Sequence, residues 1–339
     1  MPTATRREMN VLTFDEALAR LRQPASTLIL THTNPDPDTI GSAFGLKKLL
    51  TALGSDARVV CCDTPAPRMS FLVDDPEGLA YEGDGSDYER IVAVDVASPN
   101  QLGTLAHLAA RTDLILDHHA NNSHFADVYR EYTASAAEII FELSEAFQRS
   151  GEIDALPLSF YECVYAGIVS DSGSFRYSNV TPETHGRAAR MIAYGIDFAE
   201  ISRLLFDSRT PKELTAQKVV LTHIRYFADG KISAVLFTNE MKREHGLCDV
   251  DLENIIATVR EIDGVRIAFT VKQTTGDDTR FRVSSRANCD FDVSAVCARF
   301  GGGGHPRAAG ATVTASSPEE AFDTVVNAFV EALNLTERG

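Results

Sequence analysis

Two short segments concentrate the residues able to do chemistry. One runs from His32 through Asp36 and Asp38 to Ser42 (HTNPDPDTIGS), and the other is Asp117-His118-His119. Each follows an apolar run that favours a strand, residues 27–31 and 114–116. A third such run, 90–94, ends on Asp95, and an apolar helical stretch ends near Asp171 in AGIVSDSGSFRYS. Carboxylates and imidazoles thus gather where strands end, and in open α/β sheets ligands bind beyond the carboxyl ends of the strands. Brought together, Asp36, Asp38, Asp95 and Asp171 would either shift their pKa values strongly or bind cations. Two divalent ions would neutralise all four, with His32 and His118 adding nitrogen donors. A mixed Asp and His set suits hard or borderline ions, Mn²⁺ above all, with Mg²⁺ and Co²⁺ as alternatives.

Each residue also has a plainer reading. An Asp before a helix is commonly only a cap, and Asp117 alone reads as a turn residue. His118 and His119 are adjacent and point differently, so one of them at most serves a given ion. Pro35 and Pro37 favour an extended loop, which lets Asp36 and Asp38 face one site. Gly41 and Ser42 then open a helix whose N-terminus favours an anionic ligand. The coincidence of four such segments carries the metal reading. No GxSxG elbow and no GxxxxGK[ST] loop is present, so the sequence offers neither a serine nucleophile of that type nor a P-loop.

A second cluster lies late in the chain, in Phe300 to Gly310 (FGGGGHPRAAG). Consecutive glycines, Gly302, Gly303 and Gly304 among them, let backbone N–H groups approach a phosphate, and His305 adds a side-chain donor. A glycine run alone reads as a flexible turn. Ser284 and Arg286 end a predicted strand, and Arg286 suits two-pronged recognition of phosphate.

The elements that must position these groups alternate in the first half. Strands are predicted at 28–30, 58–61, 91–94 and 113–116, and helices at 39–53, 135–149, 158–169, 182–193 and 198–206. That order predicts a doubly wound, mainly parallel sheet. The later pattern is a smaller α/β domain. It has helices near 212–224, 252–261, 293–299 and 318–333, and strands at 232–237, 266–273, 280–285 and 310–314, with a turn at 275–278. The boundaries read as 1–195, a linker at 196–215, and 216–339.

The chain has 339 residues, 44% of them hydrophobic, enough for two cores. A net charge of −16 argues against a long nucleic-acid track, which needs a basic stripe. The six cysteines form no CxxC and read as reduced thiols. No stretch approaches about 18 apolar residues, and no signal peptide or membrane span is read. A cytoplasmic location is expected.

Taken together these motifs resemble the DHH-family phosphoesterases with a C-terminal DHHA1 domain, over nearly the whole chain, in the branch of oligoribonucleases (nanoRNases) and 3'-phosphoadenosine 5'-phosphate (pAp) phosphatases. The resemblance implies that His32, Asp36 and Asp95 hold one metal. It implies that Asp38, Asp95, His118 and Asp171 hold the other, with Asp95 shared. It gives His119 a contact to the substrate phosphate and has Asp117 orient a ligating imidazole. The glycine run with His305, and the segment Ser284 to Arg286, match the substrate-binding hallmark, and a cleft between the domains is implied. Departures from the pattern at Pro37, Ala136 and Ser172 remove no ligand. The implied reaction is two-metal hydrolysis, with water attacking phosphorus in line. Short RNA oligonucleotides, dinucleotides such as pApA, and pAp are the implied substrates, and a homodimer is compatible. Cyclic di-AMP phosphodiesterase, inorganic pyrophosphatase or exopolyphosphatase, and a nucleotide-binding regulatory module stay as alternatives. The glycine run speaks against the pyrophosphatase and the intact ligand set against the regulatory module.

Overall fold

The structure, a computed structural model, describes residues 10–119 and 121–336; the segment 1–9, on which the signal-peptide expectation partly falls, lies outside these. Two compact units divide between Ser208 and Arg209. That division falls inside the stretch 196–215, which is largely helical rather than extended.

The first unit runs α1 (Phe14–Arg22), β1 (Thr27–Leu30), α2 (Pro37–Ala52), β2 (Ala57–Val60), β3 (Arg90–Val94), β4 (Leu114–Asp117), β5 (Asp127–Arg130), α3 (Ala136–Arg149), α4 (Leu158–Asp171), α5 (Pro182–Ala193) and α6 (Phe198–Ser202). Its five strands pair in parallel in the order β2-β1-β3-β4-β5. Both faces are covered, which is why the strands read as unbroken apolar runs. Leu28, Leu30, Ile91, Ala93 and Ile115 pack against Leu102, Leu105 and Leu108 on one side. Ile29, Val92, Val94 and Leu116 pack on the other against Phe44, Leu46, Ile140, Phe141 and Val164 of α2 to α4. Each such side chain contributes about 1.5–3 kcal/mol by leaving water.

The chain passes from β1 outward to β2 and then returns across β1 to β3. The winding therefore reverses between β1 and β3, where open sheets form their crevice. His32 to Asp36 follows β1, and Asp95 follows β3. Helix α4 is drawn onto the start of α2 by missing side chains. A Cβ on Gly41 would sit 2.3 Å from the Cys163 carbonyl oxygen, and one on Gly167 would sit 2.6 Å from Asp38 Oδ1. This approach brings Asp171, the last residue of α4, toward Asp38.

The second unit comprises α7 (Pro211–His223), β6 (Arg225–Phe227), β7 (Ile232–Phe237), α8 (Asn239–His245), α9 (Ile255–Arg260), β8 (Ile267–Thr274), β9 (Asp277–Ala287), α10 (Val293–Ala298), β10 (Gly303–His305), β11 (Ala308–Thr314) and α11 (Pro318–Thr336). The sheet order is β10-β11-β9-β8-β7-β6, antiparallel except for β7 with β8. Phe269, Phe281, Phe322 and Phe329 fill one core under α10 and α11, while Val220, Phe237, Leu252 and Val259 fill the other. No described helix is long and apolar enough to cross a membrane.

The glycine run differs from the expected loop. Gly303 to His305 form an edge strand paired with β11. A Cβ on Gly302 would lie 2.1 Å from the Gly310 carbonyl oxygen, and one on Gly304, whose φ is +141°, would lie 2.5 Å from that of Ala308. Two of the glycines are therefore required by the neighbouring backbone. Gly303 meets nothing within 4 Å and is exposed.

Candidate metal centre

The carboxyl edge of the first sheet assembles every metal candidate read from the sequence. Three groups of potential ligand atoms each gather within 4.8 Å: His32, Asp36 and Asp95; Asp38, His118 and Asp171; and Asp95, His118 and His119. Asp95 stands between them. Its Oδ2 is 3.4 Å from His32 Nε2, and its Oδ1 is 3.4 Å from His118 Nε2 and 3.5 Å from His119 Nδ1. His118 Nε2 also lies 3.4 Å from Asp171 Oδ2 and 3.9 Å from Asp38 Oδ2.

Backbone geometry sets each group. Asp95 is 2% exposed and adopts φ +59°, a left-handed conformation that a non-glycine residue holds only when its surroundings enforce it. Its N–H donates to Leu116 O at 2.9 Å, which fastens it to β4. Asp36 is both cap and candidate ligand. Its Oδ1 accepts from the N–H groups of Asp38 and Thr39 at the start of α2 and lies 3.8 Å from His32 Nε2. Asp38 is fully buried. It accepts from the N–H groups of Ala136 and Ala137 at 2.7 and 3.0 Å and from Ser42 Oγ at 3.1 Å, so the start of α3 stabilises its charge. Asp171 ends α4, where an acidic residue opposes the helix dipole. A cation nearby would remove that cost.

The imidazoles of His32 and His118 are both anchored through Nδ1. His32 Nδ1 lies 2.8 Å from Thr33 O, and His118 Nδ1 lies 3.3 Å from Thr133 O. With Nδ1–H donating to a carbonyl, Nε2 faces the carboxylates, and loss of its proton would give the tautomer a metal requires.

The protonation pattern has the same origin. Burial disfavours an imidazolium at His32, but contact with Asp95 and the charges of Asp36 and Asp95 outweigh it and raise its pKa to about 10. His118 shifts the same way, burial being overcome by Asp95, Asp38 and Asp171. Burial and the neighbouring carboxylates push Asp38 up to about 7 and raise Asp171 well above the carboxylate range. Asp95 moves down, because His118 and His32 outweigh its burial.

These residues fit divalent cations. Asp95 Oδ1 and His118 Nε2 are buried and face one another, yet among the described residues neither has a hydrogen-bond partner. Counting these two, four carboxylates and two imidazoles converge here, and an oxygen that accepts an N–H keeps a second lone pair for a metal.

Asp117 turns to His119 and not to His118. Its Oδ1 accepts from His119 Nδ1 at 2.7 Å, and its Oδ2 accepts from Asn122 Nδ2 at 2.6 Å. Asp117 and His119 are two apart at a strand end and share a side, whereas His118 turns inward and takes the Thr133 carbonyl instead. Asn122 and Thr133 were not singled out in the sequence. The only signal was a short polar stretch after Asp117-His118-His119.

In the second unit, register places Arg286 opposite Ala308, and Ala308 opposite His305. Ser284 is two residues from Arg286. Directly paired and alternate residues share a sheet face, so Ser284, Arg286 and His305 lie on one face. Ser285 takes the other, buried, and donates to Ala309 O at 2.9 Å.

A parallel sheet with carboxylates and imidazoles at its carboxyl edge, followed by a mixed-sheet unit with a glycine–histidine edge strand, defines a DHH-type hydrolase. The chain belongs to that family: residues 26–168 match the DHH family N-terminal domain and residues 232–334 the DHHA1 domain. A relative from Streptococcus mutans, named probable bifunctional oligoribonuclease and PAP phosphatase NrnA, is 29% identical over 305 residues, covering 88% of this chain and 93% of its own length. The bifunctional oligoribonuclease and PAP phosphatase NrnA of Bacillus subtilis is 26% identical, covering 85% of this chain and 89% of its own. An exopolyphosphatase-related protein from Bacteroides fragilis has the same fold, with a TM-score of 0.83, 20% identity and 95% coverage of both chains.

Proposed function

We propose that this protein hydrolyses short oligoribonucleotides, dinucleotides such as pApA included, to mononucleotides, and removes the 3'-phosphate of pAp to give AMP. The observation that carries the reading is the convergence of the His32–Asp36 and Asp38–His118–Asp171 groups on Asp95. The names of the relatives point to the same substrates. Asp95 would be shared between two cation positions, with His32 and Asp36 completing one and Asp38, His118 and Asp171 the other. Mn²⁺ fits the mixed oxygen and imidazole donors best. Bound there, divalent ions supply Lewis-acid charge and acidify water.

The protein's own groups do the rest. His119, held by Asp117, contacts the phosphate undergoing attack and offsets the charge that develops on it. Asn122 fixes Asp117, so the imidazole is presented in one orientation. On the second unit, Arg286, Ser284 and His305 contribute phosphate and nucleotide contacts, and Gly303 lets the edge strand's backbone come close to a ligand. Six free thiols among the described residues fit a reducing compartment, the cytoplasm. The test is turnover with Mn²⁺ of pApA, a five-nucleotide RNA, pAp and pyrophosphate. Mononucleotide from the RNAs and AMP from pAp are expected. Cleavage of pyrophosphate alone would move the protein to another activity of the family.

A further inference from the structure

Next to the metal centre, on the side of β4 and β5, lies an open surface cavity. Ser98, Asn121, Asn122, Ser123, His124 and Arg130 line it, and it offers about 530 Å³ open to solvent. It shares its walls with the centre. Asn122 Nδ2 holds Asp117 Oδ2, and Arg130 Nη1 donates to the His119 carbonyl at 3.3 Å. The Arg130 guanidinium also lies 4.9 Å from the ring centroid of Tyr132, whose residue is 71% exposed. The next residue, Thr133, is the one that turns His118. A guanidinium bound to the His119 carbonyl, an exposed aromatic ring beside it and several amide and hydroxyl groups therefore adjoin the centre.

Each feature has a matching part in a nucleotide. A guanidinium carries five donors in a planar fork that fits phosphate oxygens. A base stacks on an exposed aromatic ring or on the guanidinium plane beside it. The Asn121 amide and the Ser98 and Ser123 hydroxyls suit a ribose. In a chain of net charge −16, an anion needs such a local cation to approach.

We propose that this cavity and Tyr132 bind the nucleotide unit adjoining the phosphorus under attack, with Arg130 on its phosphate and Tyr132 stacked on its base. The inference rests on the phosphoesterase reading and makes the first unit a determinant of specificity in its own right. Pyrophosphate has no base to offer Tyr132, so the cavity favours nucleotides over it.

The test compares wild type, Tyr132→Ala, Tyr132→Phe and Arg130→Gln on pApA and on the same dinucleotide with an abasic ribose at either position. Removing the base that reaches Tyr132 should cost the wild type about ten-fold in kcat/KM. Tyr132→Ala should lose about as much on pApA and nothing further on that abasic analogue, the coupling expected of partners. Tyr132→Phe should retain turnover, and Arg130→Gln should raise KM more than it lowers kcat. Equal losses for Tyr132→Ala on both substrates, or none on pApA, would overturn the inference alone. Failure of the wild type to cleave pApA would overturn the phosphoesterase reading and the inference with it.

Discussion

Asp95→Asn removes one charge from the point where both cation positions meet. Asn tolerates left-handed backbone as Asp does, so φ +59° is kept and only the chemistry changes. The lost carboxylate faces His32, His118 and His119 at 3.4, 3.4 and 3.5 Å. A ligand that binds only the folded state stabilises it by about 2.7 kcal/mol at a hundred times its Kd. For a unit of about 200 residues, that raises Tm by about 5–10 °C. Replacing even an outer partner of a metal ligand weakens affinity about 10- to 100-fold. A ligand common to both positions belongs at or beyond the upper end. At the same Mn²⁺ concentration the variant then gains about 0.4 kcal/mol, or about 1 °C. Thermal unfolding of chelator-treated protein, with and without Mn²⁺, reads this directly and requires no substrate. Equal shifts in wild type and variant, or no shift in wild type, would refute the argument.

Affinity for Mn²⁺ should rise with pH. His32, raised to about 10, and His118, raised in the same direction, must lose their protons to ligate. Each released proton contributes up to about ten-fold per pH unit, and a pH-independent Kd from calorimetry between pH 6.5 and 9 would contradict this. The folded pKa of His32 lies above its unfolded value, so its contribution to the metal-free protein is fully present below about pH 6.5 and is lost as pH rises toward 10. The metal-free Tm should therefore fall across that window. Gly167→Ala places a methyl 2.6 Å from Asp38 Oδ1; it should weaken Mn²⁺ binding at least ten-fold and lower Tm, and unchanged affinity would show that α4 does not set Asp38. Gly304→Ala should break the pairing of β10 with β11, given φ +141° and a 2.5 Å clash. Nucleotide turnover should drop while the Mn²⁺-induced shift of the first unit persists, and loss of that shift would contradict the division of roles.

The sequence displayed the site better than its scaffolding. His32, Asp36, Asp38, Asp95, His118 and Asp171 were visible because each ends or soon follows an apolar run, and a doubly wound sheet with both faces covered brings such ends together. The exact part played by Asp117 was not visible, since which of two adjacent imidazoles it holds depends on side-chain direction at the end of β4. Strand β5 escaped notice because DVYR is short and polar, and its place at the sheet edge is set by pairing with β4. The segment Pro99–Arg111 escaped because it is a succession of 3₁₀ turns interrupted at Gly103, φ +57°, with no steady period. In the second unit the glycine run read as a phosphate-cradling loop, whereas pairing with β11 turns Gly303 and Gly304 into a strand. That pairing is a long-range backbone fit that local composition does not report.

The measurement that bears most directly on the central claim is product analysis of pApA incubated with the Mn²⁺-loaded protein, beside the same protein in chelator and beside Asp95→Asn. The account predicts AMP as the product in the first sample, and a loss of at least a hundred-fold in rate in the other two. Intact pApA in all three, or equal hydrolysis by Asp95→Asn, would contradict it.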